Sequence, residues 1–275
     1  MNPFFTIIIP TYNVEKLLPE SLNSILEQNY NDYEVIIMDG LSKDNTAKLA
    51  QQYAKTNPKI KVFSEKDSGI YDAMNKSIAR AKGAYLFFLG SDDTFYNKDV
   101  LSNIYTEIKN TNADVVYGSV CSTKYGSKYD GAFTYEKLTT KNIGHQAIFF
   151  SKSVFKEIGD FNLKYKALAD WDHNIRWFFS SKIKSKYVDL IVANYAEGGF
   201  SDQYVDLVFN RDKSKILFKH GLFKLKTNKL IKIISELVNS SKLENKYLAY
   251  SFYNTVVIAL KALKIIRKML YLVKY

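Results

Sequence analysis

Two adjacent carboxylates, Asp92 and Asp93, follow a run of four apolar residues in the segment YLFFLGSDDTFYN (85–97). Acidic side chains at the end of a buried strand are unfavourable unless water, hydrogen bonds or a cation compensates for the burial. Carboxylates and substrate phosphates are oxygen ligands that suit Mg²⁺ and Mn²⁺. The pair therefore predicts a site where one of these ions bridges the protein and a phosphorylated ligand. The alternative is that the two acids cap the next helix.

Polar residues also follow two other apolar runs, those that end at residues 9 and 38. Asp39 and Gly40 come after the second of them. The cluster after the first consists of Pro10, Thr11, Tyr12 and Asn13. Because the carboxyl ends of parallel strands meet at one rim of a sheet, we expect all these residues to converge on one site. Simpler readings stay open, since Asp-Gly is a turn signal and Asn13 can cap a helix.

The elements that would position these residues alternate along the first half of the chain. Apolar runs rich in β-branched and aromatic residues predict strands at 4–9, 33–38, 60–63, 85–89 and 114–118. Helical patterns between them predict helices from Asn13 to Gln28, from Asp44 to Ala54, and from Tyr71 to Ala81 with a left-handed cap at Gly83. This alternation indicates an α/β fold with a mostly parallel, doubly wound sheet.

Two common phosphate-binding motifs are missing from the sequence. No G-x-G-x-x-G follows the first predicted strand, and no G-x-x-x-x-G-K-[ST] loop occurs. The chain is therefore not expected to be a dinucleotide-dependent dehydrogenase or a P-loop NTPase.

The charge of the chain is unevenly distributed. Residues 1–202 contain 24 basic and 24 acidic residues, whereas residues 203–275 contain 15 and 4 and so carry the whole net charge of +11. We therefore predict a domain boundary near residue 202 and an anionic partner for the basic region. The single cysteine, Cys121, suits a reducing compartment, and the start MNPFFTIII is typical of a first strand rather than a signal peptide. We expect a cytoplasmic protein.

The segments IIIPTYNVEKLLPESLNSILEQNYNDYEVIIMDGLSKDNT (7–46) and SGIYDAMNKSIARAKGAYLFFLGSDD (68–93) resemble the nucleotide-sugar-binding half of family 2 glycosyltransferases. The similarity is to bacterial enzymes of surface-polysaccharide synthesis and covers roughly residues 4–202. It implies a GT-A fold, with a nucleotide-sugar half at about 1–120 and an acceptor half at about 121–202.

The resemblance implies a donor site along the predicted rim. In it, residues 10–13 would shape the pocket edge, and Asp39 would hydrogen-bond the nucleotide base. Asp92 would approach the ribose or sugar and Asp93 would bind the metal, although the family's D-x-D motif reads Ser-Asp-Asp here. Residues at the head of the third helix would face the nucleotide or sugar: Gly69, Asp72 and Asn75. The alternative for the latter two is a solvated helix face.

The acceptor side is implied by the segment FNLKYKALADWDHNIRWFF (161–179). The family's Glu-Asp pair reads Ala-Asp here, which leaves Asp170 as the aligned general base and Asp172 as the fallback. Both acids could instead simply complement the dipole of a helix. The block Gly144-His145-Gln146 resembles a GHQ block of relatives and implies contacts with acceptor or sugar for His145 and Gln146. The segment EGGFS (197–201) resembles their glycine-bearing loop.

Together these features predict an inverting, metal-dependent glycosyltransferase. It would move a sugar from a nucleotide-sugar donor, UDP-linked, to a glycan or lipid-linked sugar with Mg²⁺ or Mn²⁺ as cofactor. Two alternatives remain: a nucleotidyltransferase that makes nucleotide sugars, and a non-catalytic membrane-associated scaffold with the same fold.

The basic region 203–275 predicts two helical stretches, at about 205–238 and 244–273. The uncharged run 247–260 is too short to span a bilayer, which needs about 20 residues. An amphipathic helix on the anionic inner face of the cell membrane is one interpretation. The other is a helical cap on the catalytic body or on a second subunit of a homodimer. No nucleic-acid recognition motif is present, so no nucleic-acid partner is expected.

Overall fold

The computed structural model describes residues 2–122, 126–129, 131–196, 204–240, 251 and 254–258. The chain divides into two compact units. The first comprises Met1–Phe133 and Asn142–Asp206, and the second comprises Thr134–Lys141 and Leu207–Tyr275. The division after residue 206 lies four residues beyond the boundary predicted from charge.

The first unit is built on one mixed sheet. Its strands are β1 (Phe5–Thr11), β2 (Tyr33–Asp39), β3 (Ile60–Ser64), β4 (Tyr85–Phe88), β5 (Thr94–Phe95), β6 (Val115–Ser122), β7 (Gly126–Tyr129), β8 (Ile148–Ser151) and β9 (Ser185–Asn194). Their order is β3-β2-β1-β4-β8-β6-β9-β5, with β7 on β6. The first four strands are parallel, as predicted, β8 is antiparallel to both β4 and β6, and β9 is parallel to β6. The α/β class is confirmed, and all five predicted strands are present.

Helices connect the strands of the first unit and form the described part of the second. They are α1 (Leu18–Leu26), α2 (Thr46–Thr56), α3 (Ile70–Arg80), α4 (Val100–Thr111), α5 (Tyr135–Leu138), α6 (Lys152–Ile158), α7 (Ala169–Phe178), α8 (Leu207–Gly221) and α9 (Thr227–Ser240). A single 3₁₀ turn spans His145–Ala147. The predicted helix at 205–238 is therefore two helices, and the predicted helix at 244–273 lies largely outside the described residues.

Two predicted helix caps are wrong. Asn13 does not cap α1, because it has a left-handed φ of 54° and its side chain accepts a hydrogen bond from the Lys43 amide instead. Gly83 is not a left-handed cap, since α3 ends at Arg80 and its cap residue, Ala81, is extended. A Cβ at position 83 would lie 2.5 Å from the Thr6 nitrogen, so Gly83 is needed for close approach of the backbones.

The third predicted cap is displaced by one residue, because the cap residue of α2 is Asn45 and not Asp44. Asp44 Oδ1 accepts a hydrogen bond from the Thr46 amide, the first residue of α2, at 3.0 Å. Its other oxygen accepts from the Glu15 amide, which ties the start of α2 to the segment after β1.

Aromatic packing fixes the strand that leads to the two acids. On β4 the ring of Phe87 stacks on Phe95 and Phe149, with centroids 5.1 and 4.3 Å apart. Phe88, on the other face, contacts Phe155 and Phe161 edge-on. Because both faces of β4 are covered, the turn that follows it has a rigid base.

In the second unit, α8 and α9 pack against each other. Their buried apolar side chains include Phe209, Leu217, Leu230 and Ile234. Within the part of the chain that the structure describes, no helix has the length and apolar character needed to cross a membrane.

Candidate active site

The turn after β4 folds both carboxylates over a glycine. A Cβ on Gly90 would lie 2.4 Å from Asp93 Oδ2 and 2.8 Å from Asp92 Oδ1, so a side chain at position 90 would displace both acids. The next helix, α4, begins at Val100, and its cap residue is Asp99. The two acids are therefore not helix caps, and their convergence on one backbone position needs another explanation.

Asp93 is buried, with 2% of its surface exposed. Its Oδ1 accepts a hydrogen bond from the Ala196 amide at 2.9 Å, and the Gln146 side chain donates to it as well. Burial, and then the charge of Asp92, raise the pKa of Asp93 to about 6 against these hydrogen bonds and the charge of His145. A carboxylate in this position carries its charge at a cost that a nearby cation would offset.

A divalent ion fits this pair of acids. Among the described residues no cluster of three or more His, Cys, Asp or Glu side chains forms a metal site. Mg²⁺ characteristically takes only one or two protein carboxylates and completes its octahedron with waters and substrate phosphates. Two oxygens converging over Gly90, one of them on a carboxylate destabilised by burial, match that requirement.

A cavity of about 280 Å³ opens beside the acid pair. Its walls include polar side chains from chain-distant segments: Asp92, Asp93, Asn142, His145, Gln146 and Asp170. Apolar and aromatic side chains supply the rest, among them Tyr71, Tyr129 and Tyr195. The volume lies just below the range of about 300–1,000 Å³ that is typical of small-molecule sites. The structure thus brings two parts of the predicted site to a single cavity: the acid pair that was predicted to bind the metal, and Asp170, which was predicted to be the base.

Asp170 lies in the first turn of α7 and is 7% exposed. Its Oδ1 accepts from the Tyr71 hydroxyl and the Trp171 amide, both at 2.9 Å. Its Oδ2 accepts from Asn142 Nδ2 at 2.8 Å. The carboxylate is therefore fixed from α3, α7 and the segment before the 3₁₀ turn, with its orientation toward the cavity set by the protein.

Asp172 lies elsewhere. Its Oδ2 accepts from Arg176 Nε at 2.9 Å, one turn along α7, and it does not contribute to the cavity wall. The same guanidinium donates to the carbonyls of Ile158 and Asp160. This ion pair fastens α7 to the chain after α6 and accounts for Asp172 without a ligand.

His145 occupies the cavity wall between the acids. Its Nδ1 is 3.8 Å from Asp170 Oδ2, too far for a hydrogen bond. Its Nε2 is buried and has no hydrogen-bond partner in the protein. His173, by contrast, is a core residue: it stacks on Phe155, its Nε2 faces the Gly159 carbonyl, and burial holds its pKa well below the usual range. His145 therefore differs from His173 in lining the cavity, whereas both rings have one buried nitrogen without a hydrogen-bond partner among the described residues.

Asp39 is fully buried at the end of β2, outside the walls of this cavity. It accepts hydrogen bonds from the hydroxyls of Ser42 and Ser64, and from the Ser42 amide. Of the rim after β1, Thr11 is buried, and Tyr12 is 55% exposed. Pro10 continues β1 beside Met38, beyond the last residue pair with β4, so its missing N–H breaks no described ladder bond.

The residues at the head of α3 make local and structural contacts. Asp72 accepts from the Ser68 amide and hydroxyl at 2.9 and 3.1 Å, and these bonds, with the charge of Lys76, lower its pKa although burial opposes them. Asn75 pairs through both ends of its amide with the Phe161 backbone, at 2.9 and 3.1 Å. Gly69 has a φ of 128°, which only glycine adopts readily. None of the three lines the cavity beside the acid pair.

Sequence reasoning missed two kinds of residue. Asp67 reaches over Gly40, where a Cβ would lie 2.5 Å from its Oδ2, and burial raises its pKa, with the charges of Asp72 and Asp39 adding to the effect. The glycine directly after Asp39 was the one available signal. Tyr71 and Asn142 contact Asp170 from 99 and 28 residues away, and no local pattern marks such partners. The EGGFS segment lies outside the described residues.

Residues 6–174 match the family model described as "Glycosyl transferase family 2". A "PGL/p-HBAD biosynthesis glycosyltransferase" of Mycobacterium bovis (strain BCG / Pasteur 1173P2) is 41% identical over 211 residues, which cover 75% of this chain and 82% of the relative. The "Chondroitin synthase" of Pasteurella multocida (strain Pm70) is 30% identical over 204 residues, 70% of this chain but 20% of that enzyme.

Solved structures share the fold at lower identity. S. aureus TarS 1–349 in complex with UDP-GlcNAc has a TM-score of 0.63 at 20% identity, with 86% of this chain and 80% of that chain covered. The mannosyltransferase PcManGT from Pyrobaculum calidifontis, in complex with GDP-Man and Mn²⁺, has a TM-score of 0.60 at 17% identity, with 95% of this chain and 74% of that chain covered. These likenesses confirm the predicted fold of the GT-A type.

Proposed function

Because this chain belongs to glycosyl transferase family 2, we propose that it moves a sugar from a UDP-linked donor to a hydroxyl of a glycan or lipid-linked sugar, with inversion at the anomeric carbon. The observation that carries the proposal is the shared cavity: Asp93 at one wall and Asp170 at another face the same space. An inverting transfer needs both groups, one beside the leaving diphosphate and one beside the attacking hydroxyl.

Asp93, with Asp92 beside it, would hold the divalent ion, Mg²⁺ or Mn²⁺. When bound, the ion neutralises the negative charge that develops on the departing diphosphate. The Mn²⁺ in the PcManGT complex supports this use of a metal. Gln146 would act as a positioning residue, since its amide donates to Asp93 and so fixes the carboxylate toward the cavity.

Asp170 would be the general base. Its carboxylate takes the proton of the acceptor hydroxyl as the new bond forms on the face opposite the diphosphate. Asp172 forms an ion pair with Arg176, and we assign it a structural role. His145, which lines the cavity beside Asp170, would hydrogen-bond a hydroxyl of the transferred sugar.

The nucleotide would lie along the ends of β1 and β2, against residues 10–13, with Asp39 toward its base. Asp67, which overlies Gly40 next to Asp39, is a further candidate for this end of the donor site. The UDP-GlcNAc and GDP-Man complexes of similar folds support a nucleotide-sugar donor. Asp72 and Asn75 we assign to holding the head of α3, where Asp72 accepts from Ser68 and Asn75 pairs with the Phe161 backbone.

Screening nucleotide sugars against the purified protein tests this function. We expect one donor to raise the melting temperature in the presence of Mg²⁺ or Mn²⁺ and much less in EDTA, since ligand binding to the native state stabilises it. That donor should then yield a product of inverted anomeric configuration by NMR. A retained configuration, or no metal-dependent stabilisation by any nucleotide sugar, would contradict the proposal.

The basic region 203–275 bears on where the acceptor is presented. Its charge supports peripheral binding to the anionic inner face of the cell membrane, in the cytoplasm, where a lipid-linked acceptor of surface-polysaccharide synthesis would be found. The competing role is a homodimer contact. We expect more of the full-length protein to sediment with vesicles that contain anionic lipid than with neutral vesicles. Binding to the anionic vesicles should weaken at high salt. Equal partitioning with both vesicles would reject the membrane role and leave the dimer to be tested by light scattering.

A further inference from the structure

A chain of buried hydrogen bonds runs from the core to Asp170. Trp177 Nε1 donates to Asn174 Oδ1 at 2.8 Å, Asn174 Nδ2 donates to Asn142 Oδ1 at 2.9 Å, and Asn142 Nδ2 donates to Asp170 Oδ2 at 2.8 Å. Trp177 is completely buried and Asn174 is 1% exposed. Every link donates in the same direction, toward the carboxylate.

The direction of this chain is fixed by groups that cannot reverse. The indole N–H of Trp177 can only donate, so Asn174 must turn its oxygen toward it. The Ile143 carbonyl can only accept, and it lies 3.0 Å from Asn174 Nδ2. Two independent partners therefore set the amide of Asn174, and Asn174 in turn obliges Asn142 to present its NH₂ group to Asp170. Reversing either amide would bring donor against donor or acceptor against acceptor.

The hydrogen bonds to Asp170 determine which of its lone pairs is available to a substrate. An ionised carboxylate has about four lone-pair positions, two on each oxygen. On Oδ1 the Trp171 amide fills one and the Tyr71 hydroxyl the other. Tyr71 also lies 2.9 Å from the Ala167 carbonyl, but its single proton favours the charged acceptor. Asn142 fills one position on Oδ2, and the second remains.

We propose that Asn142 and Asn174 are positioning residues of the transfer reaction, which with Trp177 leave Asp170 one lone pair, on Oδ2, to receive the acceptor hydroxyl. This inference rests on the proposed role of Asp170 as the base. The open position lies on the oxygen that faces His145, 3.8 Å away. The acceptor is thereby limited to one direction of approach, and loss of a link would let the carboxylate turn or let Asn142 reverse its amide.

A set of alanine variants tests the proposed role of this hydrogen-bond chain. Asn174→Ala should lower kcat about 10-fold, in keeping with the cost of small misplacements, while the donor KM and the affinity for UDP with Mn²⁺ stay within about twofold of wild type. Asn174 does not line the cavity, so it has no substrate contact to lose. Asn142→Ala should lose at least as much. Since the hydrogen bonds connect Asn174 to Asp170 through Asn142, the double variant should be no slower than Asn142→Ala alone.

The background of Asp170→Asn separates this proposal from the proposed function. There, Asn174→Ala should leave the residual rate unchanged, because no base remains to be positioned. If Asn174→Ala has the kcat of wild type, or if the losses in the double variant are additive, the proposed positioning role of Asn142 and Asn174 is wrong. Asp170 would still be the base. Normal turnover of Asp170→Asn overturns both.

Folding controls keep the result interpretable. Asn57→Ala, which removes an asparagine that donates to the Tyr53 carbonyl at the end of α2, should not change kcat. If Asn174→Ala does not fold, Trp177→Phe is the substitute variant. It removes the indole N–H that sets the direction of the hydrogen-bond chain. It should lower kcat with the same unchanged affinity for UDP, and an unaltered kcat in a folded Trp177→Phe protein counts against the proposal.

Discussion

Asp93→Asn is expected to abolish transfer and, in metal-free buffer, to make the protein more stable than wild type above about pH 6. The two effects have one cause. Asp93 is 2% exposed and lies beside a second carboxylate, Asp92. This position favours a metal-bound carboxylate and destabilises a free one. Asparagine keeps an oxygen for the Ala196 amide but carries no charge for a metal.

The pH dependence has a definite sign. Burial raises the pKa of Asp93 from 3.8 to about 6, so between these values the folded protein binds more protons than the unfolded chain. The free energy of unfolding therefore falls as the pH rises through this window, by about 3 kcal/mol at most for a shift of this size. The stabilising contribution of Asp93 is fully present below pH 3.8 and is lost above pH 6. Asp93→Asn lacks this loss, so its advantage should be largest at pH 7–8 and vanish near pH 4.

Urea denaturation of both proteins in EDTA across pH 4–8 measures this difference, and transfer assays with Mn²⁺ measure the loss of function. Mn²⁺ with UDP should raise the melting temperature of wild type and not of the variant. Glu20→Gln, which neutralises an exposed acid in the first turn of α1, is the charge control; it should leave transfer unchanged and lower stability by about 0.3–1 kcal/mol at pH 7–8, opposite in sign to Asp93→Asn. Transfer by Asp93→Asn, or a variant less stable than wild type at pH 8, would contradict the assigned role. Loss of transfer with folding intact would also reject a non-catalytic scaffold.

The strands could be predicted because they depend on local pattern: continuous apolar runs indicated strands covered on both faces. The topological rule placed the segments after β1, β2 and β4 at one rim, but of these only the acids after β4 line the cavity, and Asp39 and residues 10–13 do not. The antiparallel strand β8, between β4 and β6, left no comparable signal, because its four residues match a buried strand or a helix segment equally well. The sheet is consequently mixed where a mostly parallel one was expected.

The direction in which a side chain turns could not be predicted. The family resemblance implied that Asp72 and Asn75, one helical turn apart on α3, both face the nucleotide or sugar. In the fold, Asn75 pairs with the Phe161 backbone, 86 residues away in sequence, and Asp72 binds back to Ser68. The same limit hid Tyr71, whose hydroxyl reaches Asp170 across 99 residues. The roles of the site residues in catalysis and binding stay predictions until they are measured.

Asp170→Asn is expected to lower turnover by about 10²-fold or more while UDP and Mn²⁺ still bind, in line with typical contributions of a general base. The substitution should also affect the stability of the protein. Three donors face the carboxylate, from Tyr71, Trp171 and Asn142, and an asparagine offers one oxygen and one NH₂ group. One donor must therefore meet another, so stability should also fall by roughly 1–3 kcal/mol.

Asp172→Asn is the matched comparison, because it removes the same charge two residues along the same helix. It breaks the ion pair with Arg176 and should lower stability by about 3 kcal/mol or more, as for other buried pairs. Its kcat should stay near that of wild type, since Asp172 does not line the cavity. Steady-state rates, calorimetric titration with UDP and denaturation of both variants separate a loss of chemistry from a loss of fold. If Asp172→Asn were the slow variant and Asp170→Asn turned over normally, the general base would be Asp172, and the hydrogen bonds around Asp170 would serve only to hold α7 against α3.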